Sequence, residues 1–114
     1  MHVVTTATLS TLSQAAGEPV PAERLRPNLV VAVDAAAPFP EDGWLGRTLH
    51  LGSVELHITK RAERCVMVGH AQHRLAPRPT LLKTIGHLNG ACAGVYAEVS
   101  APGTLAVGNP ARLL

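Results

Sequence analysis

The chain has 114 residues, of which 46% are hydrophobic and 16% are charged, and this composition argues against disorder and for one domain over residues 1–114. A formal charge of +2 is too small to indicate a nucleic-acid or membrane surface, and no apolar run reaches the roughly 18 residues of a membrane span. Met1-His-Val-Val lacks the basic start of a signal peptide, so we expect a cytoplasmic protein in which Cys65 and Cys92 are free thiols.

The first third of the chain predicts a strand, a helix and a second strand. Val3-Val4-Thr5 is typical of a short strand, and Thr6 can cap a helix from about Ala7 to Ala16. After a proline-containing loop, Leu29 to Val33 predicts the second strand, with Arg26 at its entrance.

A cluster of threonines, Thr5, Thr6 and Thr8, lies at the predicted start of that helix. Backbone N–H groups at a helix N-terminus favour an anion, so a phosphate or metal-oxo ligand is one interpretation of the cluster. Plain helix capping is the other.

The middle of the chain predicts a loop followed by a β-hairpin. Asp34 to Gly46 is rich in Ala, Pro and Gly, with Phe39 and Trp44 as its anchors, and Arg47 to Ile58 is a hairpin that turns at Gly52-Ser53. The apolar face carries Leu49, Leu51, Val54 and Leu56, and the polar face carries Thr48, His50, Glu55 and His57. Without a third fixed ligand, we interpret the polar face as solvated rather than as a metal site.

One stretch after the hairpin carries the residues for which we predict chemistry. Lys60, Arg61 and Arg64 bring three cations close to Cys65, and cations favour the thiolate, the form that attacks electrophiles and binds soft metals. Cys65 to Val68 predicts a buried strand that would place Arg64 and Cys65 at the mouth of a sheet. The alternative is an inert, buried cysteine that packs as a small apolar residue.

A histidine pair and a helix follow. His70-Ala-Gln-His73 predicts an exposed loop more than a metal site. Leu81 to Leu88 carries apolar residues at helical spacing, and Asn89-Gly90 ends this helix, which should cover one side of the sheet.

The last part of the chain predicts further strands. From Gly94 to Val99, residues of an apolar face, which include Val95 and Val99, alternate with Tyr96 and Glu98, which predicts a strand with one buried face. Ala101 to Thr104 suits a type II turn, after which Thr104 to Val107 would pair back. Short strands with turn signals and two helices indicate a mostly β fold, a small antiparallel barrel.

Six segments of the chain occur in an order and spacing that one protein family shares. They are Arg24–Val31, Phe39–Trp44, Leu51–Glu55, Arg64–Met67, Gly94–Glu98 and Gly103–Gly108. In this pattern the chain resembles the MOSC family, the C-terminal domain of molybdenum cofactor sulfurases and the amidoxime-reducing components, and the resemblance implies a MOSC-like β-barrel.

The resemblance also implies a cofactor and its site. In the family, the cysteine of the Arg-Cys block is the thiolate ligand of molybdenum, and it matches Cys65; the arginine of the Arg-Pro-Asn block holds the anionic pterin, and it matches Arg26. The implied cofactor is the molybdenum cofactor, molybdopterin. The implied catalytic residues are Cys65 and Arg64, and the implied cofactor-binding residues are Arg26, Asn28, Thr8 and Lys60.

The chain departs from the family pattern at three places. The usual Lys-Pro-Cys-x-Arg-Cys is here Lys60 to Cys65 without the proline and the first cysteine, and His70-Ala71 replaces the usual Asp-Pro. By this resemblance the chain begins at the equivalent of a mid-domain strand, so we expect it to lack the N-terminal strands of the family, which carry further basic contacts to the cofactor. Because unpaired sheet edges associate and a second copy could complete the site, we expect a homodimer.

Three functions from different classes follow from these residues. The first is a molybdenum-cofactor enzyme that reduces N-hydroxylated or N-oxidised small molecules with electrons from a redox partner. The second is a cofactor-free sulfur carrier or transferase that holds a persulfide on Cys65 and receives it from a sulfur donor protein. The third is a cofactor-free barrel that binds a small ligand in its mouth. Since each would open a strand of one barrel, Arg26 and Cys65 should converge on one pocket.

Overall fold

A computed structural model describes residues 1–34, 36–72 and 75–114. Its elements are β1 (His2–Thr5), α1 (Thr6–Ala16), β2 (Leu29–Val31), β3 (Thr48–Leu51), β4 (Val54–Glu63), α2 (Leu81–Asn89), β5 (Cys92–Ala101) and β6 (Ala111–Leu113). Short 3-10 helices lie at Ala22–Arg24, Pro40–Trp44 and Val66–Gly69. Within these described ranges, no helix is long and apolar enough to cross a membrane.

The strands form one sheet in the order β2-β1-β5-β4-β3-β6. The β1–β2 pair is parallel, and the other neighbouring strands are antiparallel. The sheet curls into a half-barrel, which confirms the predicted mostly β fold with two helices and mostly antiparallel pairing.

The hairpin of β3 and β4 has the predicted register. Leu49 pairs with Leu56 and Leu51 pairs with Val54 around the turn at Gly52-Ser53. Gly52 has a φ of 56°, a left-handed conformation that glycine adopts without a steric cost. The short turn therefore fixes which face of the hairpin is apolar.

Two apolar layers hold the sheet. The first includes Val3, Leu49, Leu56, Ile58 and Val95 inside the curl. The second includes Val4, Leu12, Leu25, Val68, Ile85 and Ala93, beneath the two helices. Successive residues of a strand point to opposite faces, so the sheet buries apolar side chains on both sides and α2 covers one of them, as predicted.

Two predicted boundaries near the N-terminus were wrong by one or two residues. Helix α1 begins at Thr6, so its cap is Thr5, whose side chain accepts a hydrogen bond from the backbone N–H of Thr8. Strand β2 ends at Val31 instead of Val33. The helix ends at Gly17, whose φ of 74° is the left-handed conformation typical of a helix C-terminus.

The predicted buried strand from Cys65 to Val68 was wrong. Strand β4 ends at Glu63, which pairs with Cys92, the first residue of β5. Beyond that pair, the Arg64 N–H donates to the Ala91 carbonyl at 2.7 Å and the neighbouring strand has ended. With no strand left to pair with, the chain turns into a 3-10 helix preceded by Cys65, and Val68 is buried in the layer beneath the helices.

The predicted end of the sheet also needs correction. Thr104 to Val107 forms no strand, and β6 at Ala111–Leu113 pairs with β3 instead. Gly103 lacks the positive φ that a type II turn requires, and an added Cβ there would lie 2.7 Å from the Ser53 carbonyl oxygen. Instead of pairing as a strand, the segment around Gly103 and Thr104 packs closely against the hairpin turn, where the Ser53 N–H donates to the Thr104 carbonyl at 3.1 Å. Val99, expected to be buried, is 51% exposed.

Candidate functional site

A cavity of about 290 Å³ opens where β1 begins, β4 has just ended and the loop before β2 passes. Its polar lining comprises His2, Arg24, Arg26, Glu63, Arg64, Cys65 and Tyr96, and we call it the Cys65 cavity. Three arginines stand against one carboxylate in this described lining, so an anionic ligand is favoured electrostatically.

The structure brings Arg26 and Cys65 to this cavity, as the sequence predicts. Both residues are exposed, and Cys65 is a free thiol. Arg26 has a φ of 52°, a left-handed conformation that residues other than glycine rarely adopt. The roles of the two side chains toward a ligand stay predictions.

Arg64 is half-buried, and two contacts hold its guanidinium. Its Nη2 donates to the Leu25 carbonyl oxygen at 2.5 Å, and its Nη1 lies 3.1 Å from Nε2 of His2. Among the described residues its buried Nε–H has no hydrogen-bond partner. Burial lowers the pKa of Arg64, whereas Tyr96 and Cys65 raise it, and a guanidinium stays charged in proteins.

His2 is a site residue that sequence reasoning missed. Its side chain is buried, and its ring centroid lies 5.5 Å from that of Tyr96. The pKa of His2 is lowered below 6.5, mainly by burial and then by the positive charge of Arg64. Interactions with the backbone of Ala93 and Arg26 act in the opposite direction and raise the pKa, but by less. The imidazole is therefore neutral near pH 7. The available signal was strand alternation, which puts residue 2 on the same side as the buried Val4.

Two of the three cations predicted around Cys65, Lys60 and Arg61, make their contacts with other side chains. Lys60 is exposed and its Nζ lies 5.5 Å from the centre of the Tyr96 ring, a cation–π contact. Arg61 pairs with Asp42 at 3.4 Å. Of these three cations only Arg64 lines the Cys65 cavity. The other arginines of the cavity come from the loop before β2.

Thr8 and Asn28 are used inside the fold. Thr8 is fully buried and its hydroxyl donates to Oε1 of Glu41 at 2.5 Å, while the N–H of Thr5 donates to Oε2 at 2.8 Å. The carboxylate of Glu41 thus takes the place that the sequence suggested for an external anion. Asn28 accepts a hydrogen bond from the His2 backbone N–H through Oδ1 at 2.7 Å, so it fixes the start of β1 beside the cavity.

Metal ligands are sparse in the part of the chain that the structure describes. No group of three or more His, Cys, Asp or Glu side chains is placed there to hold a metal ion. His70 is exposed in its loop, and its carbonyl accepts from Nη1 of the buried Arg24 at 3.1 Å. The other histidine of the predicted pair, His73, lies outside the described residues.

One comparison with known proteins identifies the family of the chain, and another supports its fold. The chain matches the family model of the MOSC domain over residues 1–112. Its structure is similar to that of YiiM from Geobacillus stearothermophilus, with a TM-score of 0.75 and 20% sequence identity, over 100% of this chain and 53% of that one. The chain thus spans about half the length of that relative, and a likeness at this identity concerns the fold. A search of curated proteins finds no match.

Proposed function

This chain belongs to the MOSC domain family, and we propose that it binds a molybdenum cofactor in the Cys65 cavity and reduces N-hydroxylated or N-oxidised small molecules. The observation that carries the proposal is that Arg26 and the free, exposed Cys65 line one cavity that three arginines make cationic. A thiolate and an anion-binding guanidinium are the two protein groups that such a cofactor needs.

The side chains of the cavity fit that cofactor chemically. A soft thiolate from Cys65 suits molybdenum, and guanidinium groups bind phosphate oxygens through paired, charge-assisted hydrogen bonds. The buried Nε–H of Arg64, unpaired among the described residues, is a donor for which no acceptor is provided by those residues. When bound, the cofactor would supply two-electron redox chemistry.

The residues of this chain would then divide the work. Cys65 would hold the metal, Arg26 would hold the anionic end of the pterin, and Arg64 would add a cation that two contacts hold in the same cavity. A small-molecule substrate would bind at the cofactor, and a separate redox partner would supply the electrons. We propose no nucleic-acid or membrane partner, since the net charge is only +2.

A second candidate is a persulfide carrier or transferase. The observation that favours it is the exposure of Cys65 at the cavity, where the persulfide of a sulfur donor protein can reach it. The Cys65 thiolate would take the outer sulfur as the donor's S–S bond breaks, and the donor would leave as a thiolate. Thiolate attack requires such access. In this case the protein would carry sulfane sulfur and need no metal.

Elemental analysis distinguishes the two candidates. Protein purified from a host that makes the cofactor should contain molybdenum; Cys92→Ser should retain it, and Cys65→Ser should lose it, because only Cys65 is a free thiol on the cavity. Molybdenum-free wild-type protein that carries cyanide-releasable sulfur on Cys65 would favour the carrier. Equal molybdenum in wild type and Cys65→Ser would remove Cys65 as the ligand.

We also propose that the chain forms a homodimer through a sheet edge. Strand β2 lies at one edge of the described sheet, and its Val30 is 46% exposed. Unpaired edges with apolar side chains recruit another chain, and a charge on the edge opposes this. Sedimentation should give a dimer at tens of micromolar, a rough range for weak association. Val30→Lys should shift it to monomer, whereas Val66→Lys, exposed on the 3-10 helix after Cys65, should not.

A further inference from the structure

We infer that His2 is a positioning residue for Arg64, and that Arg64, held in this way, is an oxyanion-binding cation of the Cys65 cavity. The inference deepens the proposed function and rests on it for the natural ligand, which would carry a phosphate or similar oxyanion. The binding of a simple oxyanion by the pair needs no molybdenum.

The guanidinium of Arg64 is held from two directions. Nη2 donates to the Leu25 carbonyl at 2.5 Å, and Nη1 lies within hydrogen-bond distance of His2 Nε2, at 3.1 Å. Arginine otherwise has much rotational freedom, and its loss on binding costs affinity. A guanidinium already fixed beside the cavity avoids most of that cost and can present its remaining donors in one geometry.

His2 is itself fixed by its surroundings. The residue is 7% exposed, its ring lies at a tilt of 48° to the ring of Tyr96, and its backbone N–H donates to Oδ1 of Asn28 at 2.7 Å. Both ring nitrogens lie within hydrogen-bond distance of Arg64 Nη1, Nε2 at 3.1 Å and Nδ1 at 3.4 Å. A neutral imidazole has one acceptor nitrogen, and because a guanidinium can only donate, that nitrogen accepts from Arg64.

Gly94 makes room for this ring. Its φ is 88°, and a Cβ added there would lie 2.5 Å from Nε2 of His2 and 2.9 Å from the Val3 carbonyl oxygen. Any side chain at position 94 would displace the ring or strain the backbone. The close approach of Gly94 allows the imidazole to be buried where its Nε2 reaches Arg64.

Binding of inorganic phosphate to molybdenum-free protein, followed by calorimetry, tests the inference. Arg64→Gln should weaken phosphate binding at least about tenfold, as expected for loss of a charge-assisted contact. His2→Leu should weaken it about three- to tenfold, since the acceptor is lost. His2→Gln, whose amide oxygen can accept from Arg64, should stay within about twofold of wild type. His57→Leu, the same change on the exposed hairpin face, should have no effect.

The outcomes separate positioning from a purely structural role. Wild-type phosphate affinity in His2→Leu overturns the inference, as does an equal loss in His2→Gln and His2→Leu when both melt like wild type. Where His2→Leu does not fold, nitrogen NMR of the wild type decides, because protons on both ring nitrogens of His2 at neutral pH would leave no acceptor for Arg64. Molybdenum content plays no part in these readouts, so a failure of the proposed function is recognised separately.

Discussion

Replacing Glu41 with leucine should lower the free energy of unfolding by about 3 kcal/mol or more. The carboxylate is fully buried and accepts from the Thr5 N–H at 2.8 Å, the Thr5 hydroxyl at 3.1 Å and the Thr8 hydroxyl at 2.5 Å. Leucine fills similar space but leaves these buried donors unsatisfied, at about 1–3 kcal/mol for each group left without a partner. Chemical denaturation measures the change.

Two further variants show whether the network or the substitution is responsible. Glu41→Gln keeps an acceptor oxygen beside the threonines and should lose less stability than Glu41→Leu. Glu98→Leu makes the same exchange at an exposed position of β5 and should stay within about 0.5 kcal/mol of wild type. Similar stability in Glu41→Leu and Glu98→Leu would mean that the carboxylate does not hold the start of α1.

This network shows why part of the site was beyond sequence reasoning. The threonines before α1 predict capping and attraction for an anion, which are local properties of a helix N-terminus. Nothing local indicates that Glu41, more than 30 positions away, supplies the anion, because that depends on how the 3-10 helix Pro40–Trp44 packs. An external ligand and an internal carboxylate satisfy the same donors equally well.

The features that the sequence predicted correctly depend on neighbouring residues. The β3–β4 register follows from a two-residue turn and alternating apolar side chains, and α2 ends where Gly90 adopts a left-handed φ of 60°. Cys65 illustrates the limit. Its apolar neighbours favour a strand, but a strand needs a partner, and β5 begins too late to provide one. Resemblance to a family found Arg26 and Cys65, whereas it gave no indication of His2.

Arg26 has a left-handed backbone conformation that its neighbours in the sequence do not predict. A left-handed φ in a residue other than glycine costs on the order of 1–3 kcal/mol, and such residues are concentrated at functional sites. Here the backbone conformation coincides with a side chain on the Cys65 cavity. Glycine would accept this φ without strain, so an arginine at this position carries a backbone cost that a glycine would not.

Replacing Arg26 with glycine should therefore weaken cofactor binding while leaving the stability of the fold nearly unchanged. The free energy of unfolding should remain within about 1 kcal/mol of wild type, because relief of strain offsets the greater freedom of the unfolded chain. Cofactor affinity should fall at least about tenfold with loss of the charge-assisted contact. Ala91→Gly, at the other non-glycine residue with a left-handed φ, 67°, is the matched control and should bind the cofactor like wild type.

A double-mutant cycle then tests whether Arg26 and Cys65 hold one ligand. Cys65→Ser alone should reduce cofactor occupancy at least as strongly as Arg26→Gly, because it removes the soft ligand of the metal. If both side chains hold the same cofactor, the occupancy of the double variant should be little below that of the single variant with the lower occupancy. The reason is that once one substitution has released the cofactor, the second has no contact left to remove. Occupancy is read from molybdenum and pterin content after dialysis. Losses that add independently would assign the two residues to separate binding events, and full occupancy in Arg26→Gly would leave its guanidinium without a role in the Cys65 cavity.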